Sequence, residues 1–409
     1  QDPELRRSPF RMTLAPADRP ARPDYAPVAH MLERFIAHER DAKDIDAISV
    51  ALVDDRETVW AAGFGLARPA DSVAATAATP YRVGTVSQVL TAIAVLQLAE
   101  QRRVQLDAAV NRYVPDFAPR NPWGGAVTLR QLLAHRGGLV REPPADDADA
   151  PSLAATVASL NRTALVYAPG AQTKPSDAGT ALAAYAVERV AGEPFADAVM
   201  RRVLAPAGMR ASAFHPSGVA DSGLAAGVMW APDGRRFAAP MSPLGAGPAA
   251  ELHTTVVDLA ALLSVLFQGG RTPGGRLLRS ESVARLWTPA FPRGNADAGT
   301  GLGFAVTRWE GRRRVGQEGT AYGVTSRLAA LPDERLGVVV VVTLDGATSV
   351  TGRIADAALR GMLAVREGRP VPEPETADPV PPALAARVAG PYTQGDRPLE
   401  LRDRPAGLV

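Results

Sequence analysis

The sequence predicts an α/β protein in which one antiparallel sheet is built from both ends of the chain, flanked by helices, with a mainly α-helical insert between. Three observations predict this. Strand-like alternation or short β-branched runs occur at 47–64 and again at 302–343. Between them, apolar residues recur at helical spacing, separated by long loops. Further helical patterns sit outside both strand clusters, at 26–41 and 350–366. Strands at both ends and helices in the middle are most economically satisfied by one sheet carrying an insertion. A hydrophobic content of 46% and a charged content of 22% are those of a globular chain with a sizeable core.

Taken in order, residues 1–24 are rich in Pro and Arg, lack periodicity, and read as an extended arm. Val28, Met31, Leu32, Phe35 and Ile36 mark the first helix. Ala47 to Val53 and Thr58 to Phe64 read as a strand pair around the polar turn Asp54-Asp55-Arg56-Glu57. Thr85 to Gln101 is a helix with Val89, Ile93, Leu96 and Leu98 on or near its buried face. Thr128 opens a short helix ended by Gly137-Gly138, and helical patterns cover 152–161, 178–191 and 195–204. Thr255-Val256-Val257-Asp258 resembles a capping box leading into a helix that ends at Gly269-Gly270. Strand patterns follow at 302–309, 312–317, 325–331 and 336–343. The organisation is thus an arm at 1–24, a main domain at 25–366 with its helical insert at roughly 100–250, a Pro-rich linker at 367–383, and the start of a small β-domain at 384–409.

Composition excludes several classes. Cysteine is absent, so disulfides, thiol catalysis and thiolate metal sites are excluded. The 45 basic and 43 acidic residues interleave, which is no nucleic-acid footprint. The densest run, Arg312-Arg313-Arg314, reads as a solvated hairpin end. No apolar run approaches the roughly 20 residues that span a bilayer. His30, His38, His135, His215 and His253 form no metal-ligand pattern, and no cofactor is expected.

The stretch YRVGTVSQVLTAIAVLQLAEQRRVQLDAAVNRYVPDF (81–117) resembles the nucleophile helix of the class C β-lactamase-related serine hydrolases, within the serine β-lactamase and penicillin-binding-protein superfamily. VTLRQLLAHRGGL (127–139), LVYAPGAQTKPSDAG (165–179), PAGM (206–209) and RRVGQEGTAYGVTSRLAALPDERLGVVVVV (313–342) resemble further landmarks in family order. The resemblance covers roughly 25–366. It implies an active site between a sheet domain and a helical domain, and an extracytoplasmic, periplasmic or secreted, bacterial setting. No signal peptide is visible.

Active relatives use Ser-x-x-Lys, with serine and lysine on one helix face. Here the two positions are Thr85 and Gln88: a hydroxyl crowded by a methyl, and an amide that is no useful base. Ser87 points elsewhere and reads as a packing serine. The second motif, usually Tyr-x-Asn, is Pro175-Ser176-Asp177. Proline removes the phenol, and Asp177 trades an amide for a charge. The third, usually Lys-Thr-Gly or His-x-Gly, is Gln317-Glu318-Gly319; Gly319 is expected to leave room for a ligand. By resemblance, the oxyanion hole uses the N–H groups of Thr85 and Thr320. All basic residues except Lys43 and Lys174 are arginine, so Lys174 and Glu318 are the candidate rescue bases. His135 matches a landmark and is expected to serve structure.

The leading expectation is a catalytically degenerate member, a pseudoenzyme that binds a protein partner or small ligand in its cleft, or serves scaffolding or assembly. The alternative is an active esterase, peptidase or β-lactamase that uses Thr85 with an unconventional base.

Overall fold

The computed structural model describes residues 23–144, 152–214, 223–231, 233–240, 247–292, 297–376, 380–394 and 397–401, with the short pieces 403–404 and 407–408. The arm expected at 1–24 lies, except for its last two residues, outside the described residues. So does His215.

The central sheet is antiparallel and, among the described residues, eight-stranded. Its strands are β1 (Ala47–Asp54), β2 (Glu57–Arg68), β3 (Val73–Ala74), β4 (Gly299–Thr300), β5 (Ala305–Trp309), β6 (Arg312–Ala321), β7 (Val324–Leu331) and β8 (Leu336–Val342). Their spatial order is β4-β5-β6-β7-β8-β1-β2-β3. The N-terminal hairpin therefore joins the C-terminal meander along the β1–β8 seam, with Ile48 opposite Val342 and Val50 opposite Val340.

The β-branched run at 338–342 explains the middle of this sheet. A strand covered on both faces reads as continuously apolar. Val338, Val340 and Val342 pack on one side with Met31, Leu32 and Ile36 of α1 (Ala26–Lys43) and Ile354 and Leu359 of α6 (Thr348–Arg366). Val339 and Val341 pack on the other, with Leu259 and Leu263 of α5 (Val256–Phe267). The period of two thus sorts one strand into two cores.

Helix α2 (Gln88–Glu100) opens with a 3₁₀ turn at Gly84–Ser87. Its burial is wider than the predicted face. Leu90, Thr91, Ala92, Ala94 and Val95 are also buried, because helices pack around it on all sides. α3 (Leu129–Leu133) has a full capping box: Thr128 accepts from the Gln131 N–H and Gln131 from the Thr128 N–H. At α5 only half of the expected box forms. Thr255 accepts the Asp258 N–H, but the Asp258 carboxylate turns away to the Ala211 N–H and the Ser212 hydroxyl.

Two readings are refined. The Arg312–Arg314 run does lie at a hairpin end, directly after the turn that joins β5 to β6, and its side chains are partly exposed. It begins β6, and each arginine meets an acid: Arg312 meets Glu334 and Glu367, Arg313 meets Asp333, and Arg314 meets Asp356. The Pro-rich stretch is partly docked. Arg34 pairs with Glu373, Arg353 donates to the Glu375 carbonyl, and Val371 packs on the α1/α6 core. Beyond it, a helix at Pro382–Val388 precedes the hairpin Gly390–Gln394/Arg397–Leu401. That helix lies where the sequence suggested linker and strand.

Candidate active site

The three motifs converge where the 3₁₀ turn before α2 meets the end of β6. β5 pairs with β6 only as far as Gly316. From Gln317 onward, that edge of β6 is free of a strand partner and the 84–87 turn lies against it. Gly84 has a φ of +60°, and a Cβ built on it falls 2.3 Å from the Thr320 carbonyl oxygen. Gly319 faces the same turn. Its Cβ would lie 2.0 Å from the Val83 carbonyl oxygen and 2.3 Å from the Ser326 hydroxyl, which itself donates to Val83 O. The expectation that Gly319 leaves room for a ligand is therefore corrected: the protein's own backbone fills that room. The main chains of Gly84–Thr85 and Thr320 adjoin.

Thr85 is partly exposed at the turn. Its hydroxyl donates to the Glu318 main-chain carbonyl at 2.7 Å. Gln317 reaches the same turn, its amide donating to Thr85 O at 3.3 Å. Side chains alternate along a strand, so Glu318 points to the opposite face. There its carboxylate pairs with Arg327 at 2.5 Å, and Arg327 also donates to Thr348 O of α6. This geometry keeps Glu318 from acting as a base for Thr85. Lys174 is exposed and stacks on Tyr167, its ammonium 5.3 Å from the ring centroid and 3.5 Å from the hydroxyl. Neither suggested rescue base brings its side chain to Thr85: the Glu318 carboxylate pairs with Arg327 and the Lys174 ammonium lies over Tyr167. Ser87 is fully buried, donating to Gly84 O and accepting from Leu252 N–H, as a packing serine should.

The second motif sits at the start of α4 (Asp177–Ala191). Pro175 is exposed. Ser176 caps the helix, accepting from the Gly179 N–H and donating to Val140 O. Asp177 turns inward and accepts from Gln88 Nε2 at 2.8 Å, so the structure brings these two positions together. Burial, then the neighbouring Glu142, push the Asp177 carboxyl up to about 7, against the pull of Arg141 and the Gln88 hydrogen bond. A first-turn position favours a carboxylate by only about 0.3–1 kcal/mol. Desolvation is the larger effect.

Sequence reasoning missed Arg141 and Glu142. They follow the 127–139 landmark in an irregular loop, where no periodicity marks them. The loop closes on α4 because the Asp177 and Ala178 N–H groups both donate to Arg141 O.

His135 behaves structurally. It is half-buried with a φ of +56°, and its Nδ1 accepts the Ser176 N–H at 3.3 Å. Burial lowers its pKa to about 4. The folded state thus holds fewer protons than the unfolded one between about pH 6.5 and 4. Stability is present above 6.5 and is lost as pH falls toward 4. Acid unfolding of the wild type and His135→Asn, an exchange that tolerates the left-handed backbone, tests this. The variant should escape a loss on the order of 3 kcal/mol across that window.

Among the described residues, no His, Asp or Glu group is placed to hold a metal ion, and no helix is long and apolar enough to cross a membrane.

Comparison with known proteins agrees with this architecture. The chain is 28% identical over 226 residues to "Beta-lactamase-like protein 2" of Dictyostelium discoideum, covering 53% of this chain but only 41% of that protein. It is 26% identical over 315 residues to a "Putative D-alanyl-D-alanine carboxypeptidase" of Escherichia coli strain K12, covering 68% of this chain and 71% of the relative. The fold matches that of the octameric penicillin-binding protein homologue from Pyrococcus abyssi with a TM-score of 0.73 and 23% identity, over 91% of this chain and 85% of the other. The Beta-lactamase family pattern itself matches residues 32–361, most of the chain, and this protein belongs to that family.

Proposed function

We propose that this protein is a non-hydrolytic member of the family, a pseudoenzyme whose cleft binds rather than cuts. One observation carries the reading. The Thr85 hydroxyl gives its proton to a main-chain carbonyl, while the residue one turn later is an amide engaged with Asp177. A nucleophile needs a base within hydrogen-bond reach, about 2.6–3.2 Å. Losing one general base typically costs about 10²–10⁴-fold, and here the altered positions span all three motifs. The role is binding, scaffolding or assembly, in a periplasmic or secreted setting. The octameric Pyrococcus homologue lends support to assembly.

A second reading, hydrolysis through Thr85, is favoured by the near-neutral carboxyl of Asp177, since shifted groups cluster at working sites. Incubation with a fluorescent penicillin and an activated ester separates the two. The expected outcome is no covalent label and no ester turnover above that of Thr85→Ala. Label or turnover that disappears in Thr85→Ala supports hydrolysis instead.

A further inference from the structure

Gln88 carries an acceptor that no described group uses. Its side chain is 4% exposed. Nε2 donates to Asp177 Oδ1, and Oε1 is buried with no hydrogen-bond partner. Buried polar atoms are nearly always paired, so such an atom asks for an explanation. Exchanging the amide's N and O does not remove the problem. The outer atom would then be an unpaired N–H₂, and the inner oxygen would need a protonated Asp177.

The surroundings say what kind of partner fits. Glu142 is close enough to Asp177 to push its carboxyl upward. The charged groups facing Asp177 among the described residues are Glu142 and Arg141, both from the 139–144 loop; Gln88 faces it from α2. Arg141 is already paired with Glu142 at 3.3 Å. Two carboxyls and a free carbonyl oxygen thus share one guanidinium. The cluster has surplus acceptors and, once Asp177 is ionised, a surplus negative charge. A primary ammonium has three donors, no acceptor and one positive charge.

We propose that the cluster of Gln88, Asp177 and the more exposed Glu142 binds the ammonium end of a small primary amine, with Gln88 Oε1 and the two carboxyls as its acceptors. The proposal rests on reading the cleft as a binding site. An anion is repelled by the acids, and a neutral hydroxyl supplies one donor where three acceptors wait. Without a ligand, Asp177 holds a proton near neutral pH. Binding uses its ionised form, so the amine binds more tightly as pH rises through that range.

Calorimetric titration of the full chain with benzylamine, benzyl alcohol and phenylacetate tests this. At about pH 8 benzylamine should bind and the other two should not. Its affinity should fall at least about tenfold near pH 5, and at least about tenfold in Asp177→Asn. Glu142→Gln replaces that variant if Asp177→Asn fails to fold. Gln88→Lys supplies a tethered ammonium and should abolish benzylamine binding while the chain stays folded. Equal binding of the amine and the alcohol, an affinity unchanged in a folded carboxamide variant, or no amine binding overturns the proposal. Fluorescent penicillin is run alongside. Amine binding together with Thr85-dependent labelling keeps the amine site and rejects the non-hydrolytic reading. Neither binding nor labelling does the reverse.

Discussion

Gly319→Ala is expected to cost about 4 kcal/mol or more of folding stability, with Gly84→Ala close behind. At Gly319 the added methyl would stand 2.0 Å from Val83 O and 2.3 Å from Ser326 Oγ. The hydroxyl could turn aside, but the carbonyl is main chain, held by the Ser326 hydrogen bond. Relief requires β6 and the 84–87 turn to separate. At Gly84 two penalties combine: a left-handed φ of +60° and a Cβ placed 2.3 Å from Thr320 O. Gly274→Ala is the control, since nothing lies within 4 Å of its Cβ position. It should stay within about 0.5 kcal/mol of wild type. Urea unfolding with unchanged slopes checks all three. A Gly319→Ala protein as stable as the Gly274 control would show that the turn does not pack on β6 as described.

This result bears on how the third motif is understood. Under the proposed reading Gln317 and Glu318 lack the family's chemistry, yet the glycine beside them is present. Packing accounts for that without catalysis, because at this position, as at Thr320, the turn that carries Thr85 packs directly against β6. A surviving motif residue can therefore record architecture alone.

The same distinction marks what the sequence made legible. The β-branched run at 338–342 and the paired strands at 47–64 announced the sheet, because burial on two faces leaves a continuous apolar run. The helix after Thr85 was legible as an element but not in its full burial. Nothing in its own pattern tells how many neighbours surround it. At the site, the substitutions at 85, 88, 175, 177 and 317 could be read from motif order. Their contacts could not. That Gln88 meets Asp177, and that Glu318 turns away to Arg327, depends on tertiary placement. Arg141 and Glu142 were invisible because irregular loops carry no period. The arginine run at 312–314 was legible as a hairpin end but not in its ion pairs, because its acids, Asp333, Glu334, Asp356 and Glu367, come from later segments.

Asp177→Asn is expected to stabilise the protein at about pH 8 by on the order of 2 kcal/mol, and to leave it nearly unchanged near pH 4. The native carboxyl titrates at about 7, against an ordinary value of 3.8. Between those values the folded state holds a proton that the unfolded state has released. Stability therefore falls as pH rises from about 4 to about 7 and then levels off. Asparagine keeps the shape of the protonated acid without its titration, and it can still meet the Gln88 amide through its oxygen. The direction opposes that of His135, whose burial makes stability fall as pH drops. The two windows overlap, so wild-type stability alone can look flat between pH 4 and 7. The difference between variant and wild type at each pH separates them. A difference growing steadily from acid to neutral pH supports the strained acid, and one independent of pH would remove it. A gain of this size would also mean that the wild-type residue is kept at a cost to folding. Such costs concentrate at sites retained for function, so a gain of this size would place the demand on Asp177 in the work of the cleft rather than in the stability of the fold.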